Sequence, residues 1–120
     1  MNRSVSRTDR INAELQREIY EVISRKIKNP LISQMFSILK VDASKDLKHA
    51  KVFISIYSTN PQKKEETFSA IKSEAKKIRF ELSRSMQIRT VPELSFVLDE
   101  SMAYGDKMDK LFKEISEGNK

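Results

Sequence analysis

The sequence predicts an α+β single domain with the order α-β-β-α-(α)-β-α. Three observations predict it. Amphipathic helical spacing flanks a β-rich centre, that centre splits into two strands around a five-residue polar link, and alternation resumes after Pro92. A chain of 120 residues buries about 65% of its unfolded surface on folding, enough for one core. With 38% hydrophobic and 33% charged residues it is polar, yet not polar enough to stay disordered. The expected organisation is a flexible arm at residues 1–6, a folded domain at 7–117 and a disordered tail at 118–120.

From Thr8 to Lys28 the residues Ile11, Leu15, Ile19, Val22, Ile23 and Ile27 form the apolar stripe of an amphipathic helix. Thr8 is the expected N-cap. Asn29-Pro30 is the expected stop, because the residue before proline is pushed out of helical dihedrals. "FSILKVDAS" and "HAKVFISIYS" follow, both rich in β-branched and aromatic residues, and the second alternates Ala50, Val52, Ile54 and Ile56 against Lys51, Phe53, Ser55 and Tyr57. The link "SKDLK" is short enough for an antiparallel hairpin, with Asp46 bonding its own backbone in the turn. "STNP" ends the second strand.

Helical spacing returns from Gln62 to Ser85 through Phe68, Ile71, Ala75, Ile78 and Leu82. A straight helix of that length spans about 36 Å and overhangs a three-stranded sheet. A break near its middle is therefore expected, although no glycine or proline stands there. Past Pro92, Leu94, Phe96 and Leu98 alternate with Ser95, Val97 and Asp99, giving a third strand. "YGDKMDKLFKEI" places Met108, Leu111, Phe112 and Ile115 as a short C-terminal helix.

Several kinds of chemistry have no residues to carry them. There is no cysteine and one histidine, His49, whose bland reading is a turn residue at the mouth of the second strand. The glycines are Gly105 and Gly118 alone, so neither a Walker loop nor a dinucleotide fingerprint is present. Asp99 and Glu100 are neighbours, which point to opposite faces of a strand and make a poor acid/base pair. The expectation is a protein that is not an enzyme, with no cofactor, no metal and no small-molecule substrate. The start "MNRSVSRTDR" leads into no apolar run, and no segment approaches the roughly 20 apolar residues of a membrane span. A soluble, unexported, cytoplasmic protein is expected, with no membrane partner.

The charge points to a polyanion. Lys and Arg number 23 against 17 Asp and Glu, a net charge of +6. Beyond residue 71 the long helical segment and its exit carry Lys72, Lys76, Lys77, Arg79, Arg84 and Arg89 against Glu74 and Glu81. Lys72, Lys76 and Arg79 follow one another at spacings of 4 and 3, with Lys77 and Arg84 on the flank, a stripe whose members repel one another in the absence of a bound anion. Arg3, Arg7 and Arg10 add a basic N-terminal arm. Phe53 and Tyr57 share a strand face of the kind that stacks on bases in sheet-based RNA readers, with core packing against the helices the favoured role for Phe53.

"RTDRINAELQREI", "SKDLKHAKVFIS", "IRTVPELSFVLDES" and "YGDKMDKLFKEI", in this order and spacing, make the chain resemble bacterial ribosome-binding factor A from about Arg7 to Glu117. The resemblance implies a type II KH-like fold, α-β-β-α-α-β with a short C-terminal helix, which makes residues 62–85 two helices. It also implies a ribosome-binding, non-enzymatic assembly factor that binds the free 30S subunit and 16S rRNA. Such a factor supports late maturation and processing of the 16S 5′ end, and matters most in the cold. The partners so implied are the 30S subunit and 16S rRNA, and the expected state is a monomer. The family lacks the Gly-x-x-Gly loop of ordinary KH domains and commonly has alanine, any residue, then glycine where its two central helices meet. That junction falls on Glu74-Ala75-Lys76 here, so the alanine and glycine positions hold Glu74 and Lys76. The rival reading is a ribosome-associated protein-interaction module whose charge only steers encounter.

Overall fold

β-branched residues concentrate in the middle strand, and the fold is built around it. The computed structural model describes residues 7–100, as α1 (Arg7–Arg25), β1 (Met35–Ala43), β2 (His49–Tyr57), α2 (Pro61–Ser73), α3 (Ala75–Ser85) and β3 (Glu93–Leu98). The sheet order is β1-β2-β3. β1 and β2 are antiparallel with Ile38 opposite Ile54, whereas β2 and β3 are parallel with Val52 opposite Phe96. The connections dictate this difference: a short turn suffices for an antiparallel pair, and a parallel pair needs a long crossover, here supplied by α2 and α3. The C-terminal helix, the arm at 1–6 and the tail at 118–120 expected from sequence lie outside the described residues.

Ala50, Val52, Ile54 and Ile56 of β2 are buried and meet Leu15, Ile19, Val22 and Ile23 of α1 and Ile78 and Leu82 of α3 in one core. Phe53 does not join them. Strand parity turns it to the other face of the sheet, where it is half-buried with the Lys40 ammonium 5.2 Å from its ring centre, so the expected packing against the helices is corrected.

β1 carries a bulge between Ile38 and Lys40, with Leu39 as the extra residue. Ile38, Val41 and Ala43 therefore all face the core despite their mixed parity. Gln16 of α1 donates to the carbonyls of Ile38 and Leu39 (2.9 and 3.2 Å), and Asn12 accepts from the Ala43 N–H (2.9 Å). Two polar side chains of α1 thus occupy the edge of β1 that would otherwise invite another strand.

Two boundaries of α1 differ from expectation. Thr8 lies inside the helix and is not its cap, and the helix stops at Arg25, before Asn29-Pro30. The Lys26 and Ile27 N–H groups share the Val22 carbonyl (2.8 and 3.2 Å), which closes the last turn early and lets Ile27 drop into the core.

The hairpin turn is tight. The Leu47 N–H donates to the Ser44 carbonyl at 2.8 Å, and Leu47 has φ 59°, a left-handed conformation that costs a non-glycine residue about 1–2 kcal/mol. Its half-buried side chain packs on the core and offsets that cost. The Asp46 carboxylate accepts from the Ser44 hydroxyl (2.7 Å) and the Lys48 N–H (3.1 Å), as the sequence predicts for the turn. The Ser44 hydroxyl first, and the Lys48 backbone second, hold its pKa below the ordinary value of 3.8. A depressed carboxylate pKa adds stability above the unfolded value and loses it as pH falls through the folded one. The melting-temperature difference between parent and Asp46→Asn should therefore be constant from pH 7 to 5 and shrink below about pH 4. A thermal series from pH 7 to 3 measures this, and a constant difference over the whole range would contradict the turn's role.

The expected break falls at Glu74, between α2 and α3. Its φ of −96° and ψ of 10° are open to any residue, so the bend needs no glycine. The Glu74 N–H ends α2 on the Ile71 carbonyl (3.0 Å), and the Glu74 carbonyl starts α3 by accepting from Ile78 (2.8 Å). Asn29 donates to its carboxylate at 2.8 Å, tying the bend to the loop after α1. At the start of α2, the Asn60 side chain accepts from the Gln62 and Lys63 N–H groups, capping a helix that opens on Pro61.

Candidate nucleic-acid interface

Apart from Arg79, the described cations among those predicted from sequence fall at two ends of the molecule. α1 runs about 27 Å from Arg7 to Arg25, and the Asn29 contact places the α2–α3 bend beyond its far end. At that bend end Lys72 ends α2, while Lys76 and Lys77 open α3, all exposed. The break at Glu74 interrupts the stripe, so Lys72 and Lys76 sit on separate helices. The Lys72 ammonium rests 5.2 Å from the centre of the Phe68 ring.

At the opposite end, Arg7 and Arg89 line one cleft of about 390 Å³ together with Lys45 and Lys48 of the hairpin turn. Arg10, also exposed, follows Arg7 by one turn of α1. Arg84 in the last turn of α3 stacks its guanidinium 5.8 Å from the Phe80 ring centre, and Phe80 itself is 56% exposed. Arg3 lies outside the described residues. Sequence reasoning missed Lys45 and Lys48. Their signal was present, since two of the five residues of "SKDLK" are lysines forced to the tip of a turn, but their nearness to Arg7 and Arg89 is a product of tertiary folding.

Arg79 has a different place. Its Nε and Nη2 both donate to the Val91 carbonyl, at 3.0 and 2.9 Å. Val91 and Pro92 are buried, and the residue before a proline must be extended, so this clamp fixes the entry to β3. The Glu93 N–H then donates to the Lys48 carbonyl at 2.9 Å, which joins that entry to the hairpin turn. The clamp thereby helps hold Arg89 beside Lys45 and Lys48. Lysine cannot bracket one carbonyl with two fixed N–H groups. Arg79→Lys should lower the melting temperature by about 4–8 °C, equivalent to about 1 kcal/mol, with the charge conserved. An unchanged melt would show that the clamp contributes nothing.

Asp46 is the acidic group in the cleft, and its carboxylate is already engaged by Ser44 and Lys48. His49 begins β2, as the sequence suggests, with its Nδ1 3.2 Å from a Glu93 carboxylate oxygen and both side chains exposed. Among the described residues no group of three His, Cys, Asp or Glu side chains is placed to hold a metal ion, and no helix is long and apolar enough to cross a membrane. What the arrangement offers is convergent positive charge over an apolar floor.

Fold and site together define a small type II KH-like domain with a basic end. A family model described as Ribosome-binding factor A matches residues 7–112, and the chain is 40% identical over 116 residues to ribosome-binding factor A of Caldanaerobacter subterraneus, covering 97% of this chain and 94% of that protein. The chain belongs to the ribosome-binding factor A family. In fold it is similar to the crystal structure of ribosome-binding factor A from Thermus thermophilus, with a TM-score of 0.65, 21% identity, and coverage of 76% of this chain and 93% of that one. It is also similar to a homology model of the Thermus thermophilus factor fitted into the cryo-EM map of a complex with 30S, with a TM-score of 0.60, 20% identity, and coverage of 75% and 92%.

Proposed function

We propose that this chain is a non-enzymatic, monomeric, cytoplasmic assembly factor that binds the free 30S subunit. It docks on 16S rRNA by phosphate contacts and shape, and it supports late maturation and 5′-end processing in the cold. The observation that carries this reading is the convergence of Arg7, Lys45, Lys48 and Arg89 on one cleft. Arg10 extends that cationic end, and Lys72, Lys76, Lys77 and Arg84 supply further phosphate contacts along the helices. Arg79 supports the surface through its hold on Val91. Membership of a ribosome-binding family supplies the partner class, and a relative fitted into a 30S complex supports the subunit.

A second reading, a protein-interaction module, draws on Tyr20, Met35 and Leu39, which are 42%, 76% and 42% exposed on α1 and β1. The leading reading is tested by depleting the protein and shifting cells to low temperature. Primer extension should show 16S rRNA with extended 5′ ends accumulating in free small subunits. Mature 5′ ends at the normal level would overturn the processing role.

A further inference from the structure

The cleft at the hairpin end is more than a charged surface. Beneath the four cations its floor is apolar: Ile11 and Pro92 are buried, and Leu47 and Ile88 are half-buried on its sides. A duplex backbone presents phosphates on a convex ridge and has no use for such a floor. An unpaired nucleotide has both parts the cleft matches, a phosphate for the cations and a flat apolar base for the floor. The volume of about 390 Å³ falls in the range of sites that enclose a small organic group. No aromatic residue lines the cleft, so a base would lie on aliphatic side chains and on the guanidinium planes of Arg7 or Arg89.

We infer that this cleft holds a single unpaired ribonucleotide, its phosphate between Lys45, Lys48, Arg7 and Arg89 and its base against Leu47, Ile88 and Pro92. The inference rests on the rRNA-docking reading and deepens it. The pocket lies at the end of α1 away from the α2–α3 bend, so it is separate from any contact that bend makes.

The test uses the full chain and a fluorescein-labelled eight-nucleotide single-stranded RNA of mixed sequence, beside a duplex of equal strand length, read by anisotropy. The single strand should bind about tenfold more tightly than the duplex at equal salt. Leu47→Gly removes one apolar side while suiting the left-handed turn, and Ile88→Ala trims the other, with a thermal melt verifying each fold. Each should weaken single-strand binding about tenfold and leave both duplex binding and the salt slope unchanged. Binding of the same proteins to isolated small subunits is measured in parallel. If single strand and duplex bind alike and neither variant matters, while subunits are still bound, the nucleotide pocket is wrong and rRNA docking stands. If the parent binds neither the single strand nor the subunits, both readings fail.

Discussion

A chain carrying Lys45→Glu, Lys48→Glu and Arg89→Glu should bind isolated small subunits about a hundredfold more weakly than the parent at 0.1 M salt. These three cations share one cleft, and only Arg89 of the three lies in the stretch whose charge stands out in the sequence. A hydrogen bond to a charged group contributes about 1.5 kcal/mol at the lower end, so three lost contacts exceed about a thousandfold, which solvent screening at an open site reduces. The slope of log affinity against log salt should flatten by about 2–3, at about 0.7–0.9 per phosphate contact. None of the three is in the buried core, so the melting temperature should hold. The equivalent reversal of Lys72, Lys76 and Lys77 at the bend end should have the smaller effect, because those lysines stand exposed on the last turn of α2 and the first turn of α3. Equal losses from the two variants would mean that the cleft has no special place in docking.

The largest effect on stability is expected from Ile54→Ala. Ile54 is 0% exposed in the middle of β2, opposite Ile38 on one side and Leu98 on the other. Truncating an isoleucine there costs about 2–5 kcal/mol, a large share of the about 5–15 kcal/mol that stabilises a typical domain. At about 4–8 °C per kcal/mol, circular dichroism should show a melting temperature at least about 8 °C lower. The same change at exposed Leu39, the extra residue of the bulge, should move it far less. A small shift at Ile54 would mean that β2 is not the centre of the core.

Much of this fold is legible in the sequence because each element repeats one pattern. The stripe from Ile11 to Ile23 and the alternation from Ala50 to Ile56 specify helix and strand, and both reappear as buried faces. The break at Glu74 is readable from length alone, since an unbroken helix does not fit the sheet. Its chemistry is not, because the Asn29 contact that holds it comes from 45 residues away. The bulge at Leu39 leaves no local mark, for it is visible only in pairing with β2. The face that Phe53 adopts is, by contrast, readable from the alternation itself, which sets it with Lys51 and Tyr57 against Ala50, Val52, Ile54 and Ile56. The expected packing against the helices gave its aromatic character more weight than its parity.

The candidate site is legible in kind and less so in place. Charge counts single out a cationic zone beyond residue 71, and composition has no way to show that α1 and the hairpin turn bring their own cations to Arg89. Arg79 shows the converse, a residue that counts as surface charge in the sequence and holds a backbone carbonyl in the fold.

We propose that the hairpin end meets rRNA phosphates directly. This docking is tested most directly by the affinity of the unaltered protein for isolated small subunits, measured by sedimentation from 50 to 300 mM salt. Five cations, Arg7, Arg10, Lys45, Lys48 and Arg89, predict a slope of at least about −3.5 to −4.5. A slope near zero would contradict phosphate docking and favour the protein-interaction module, in which positive charge only steers the encounter.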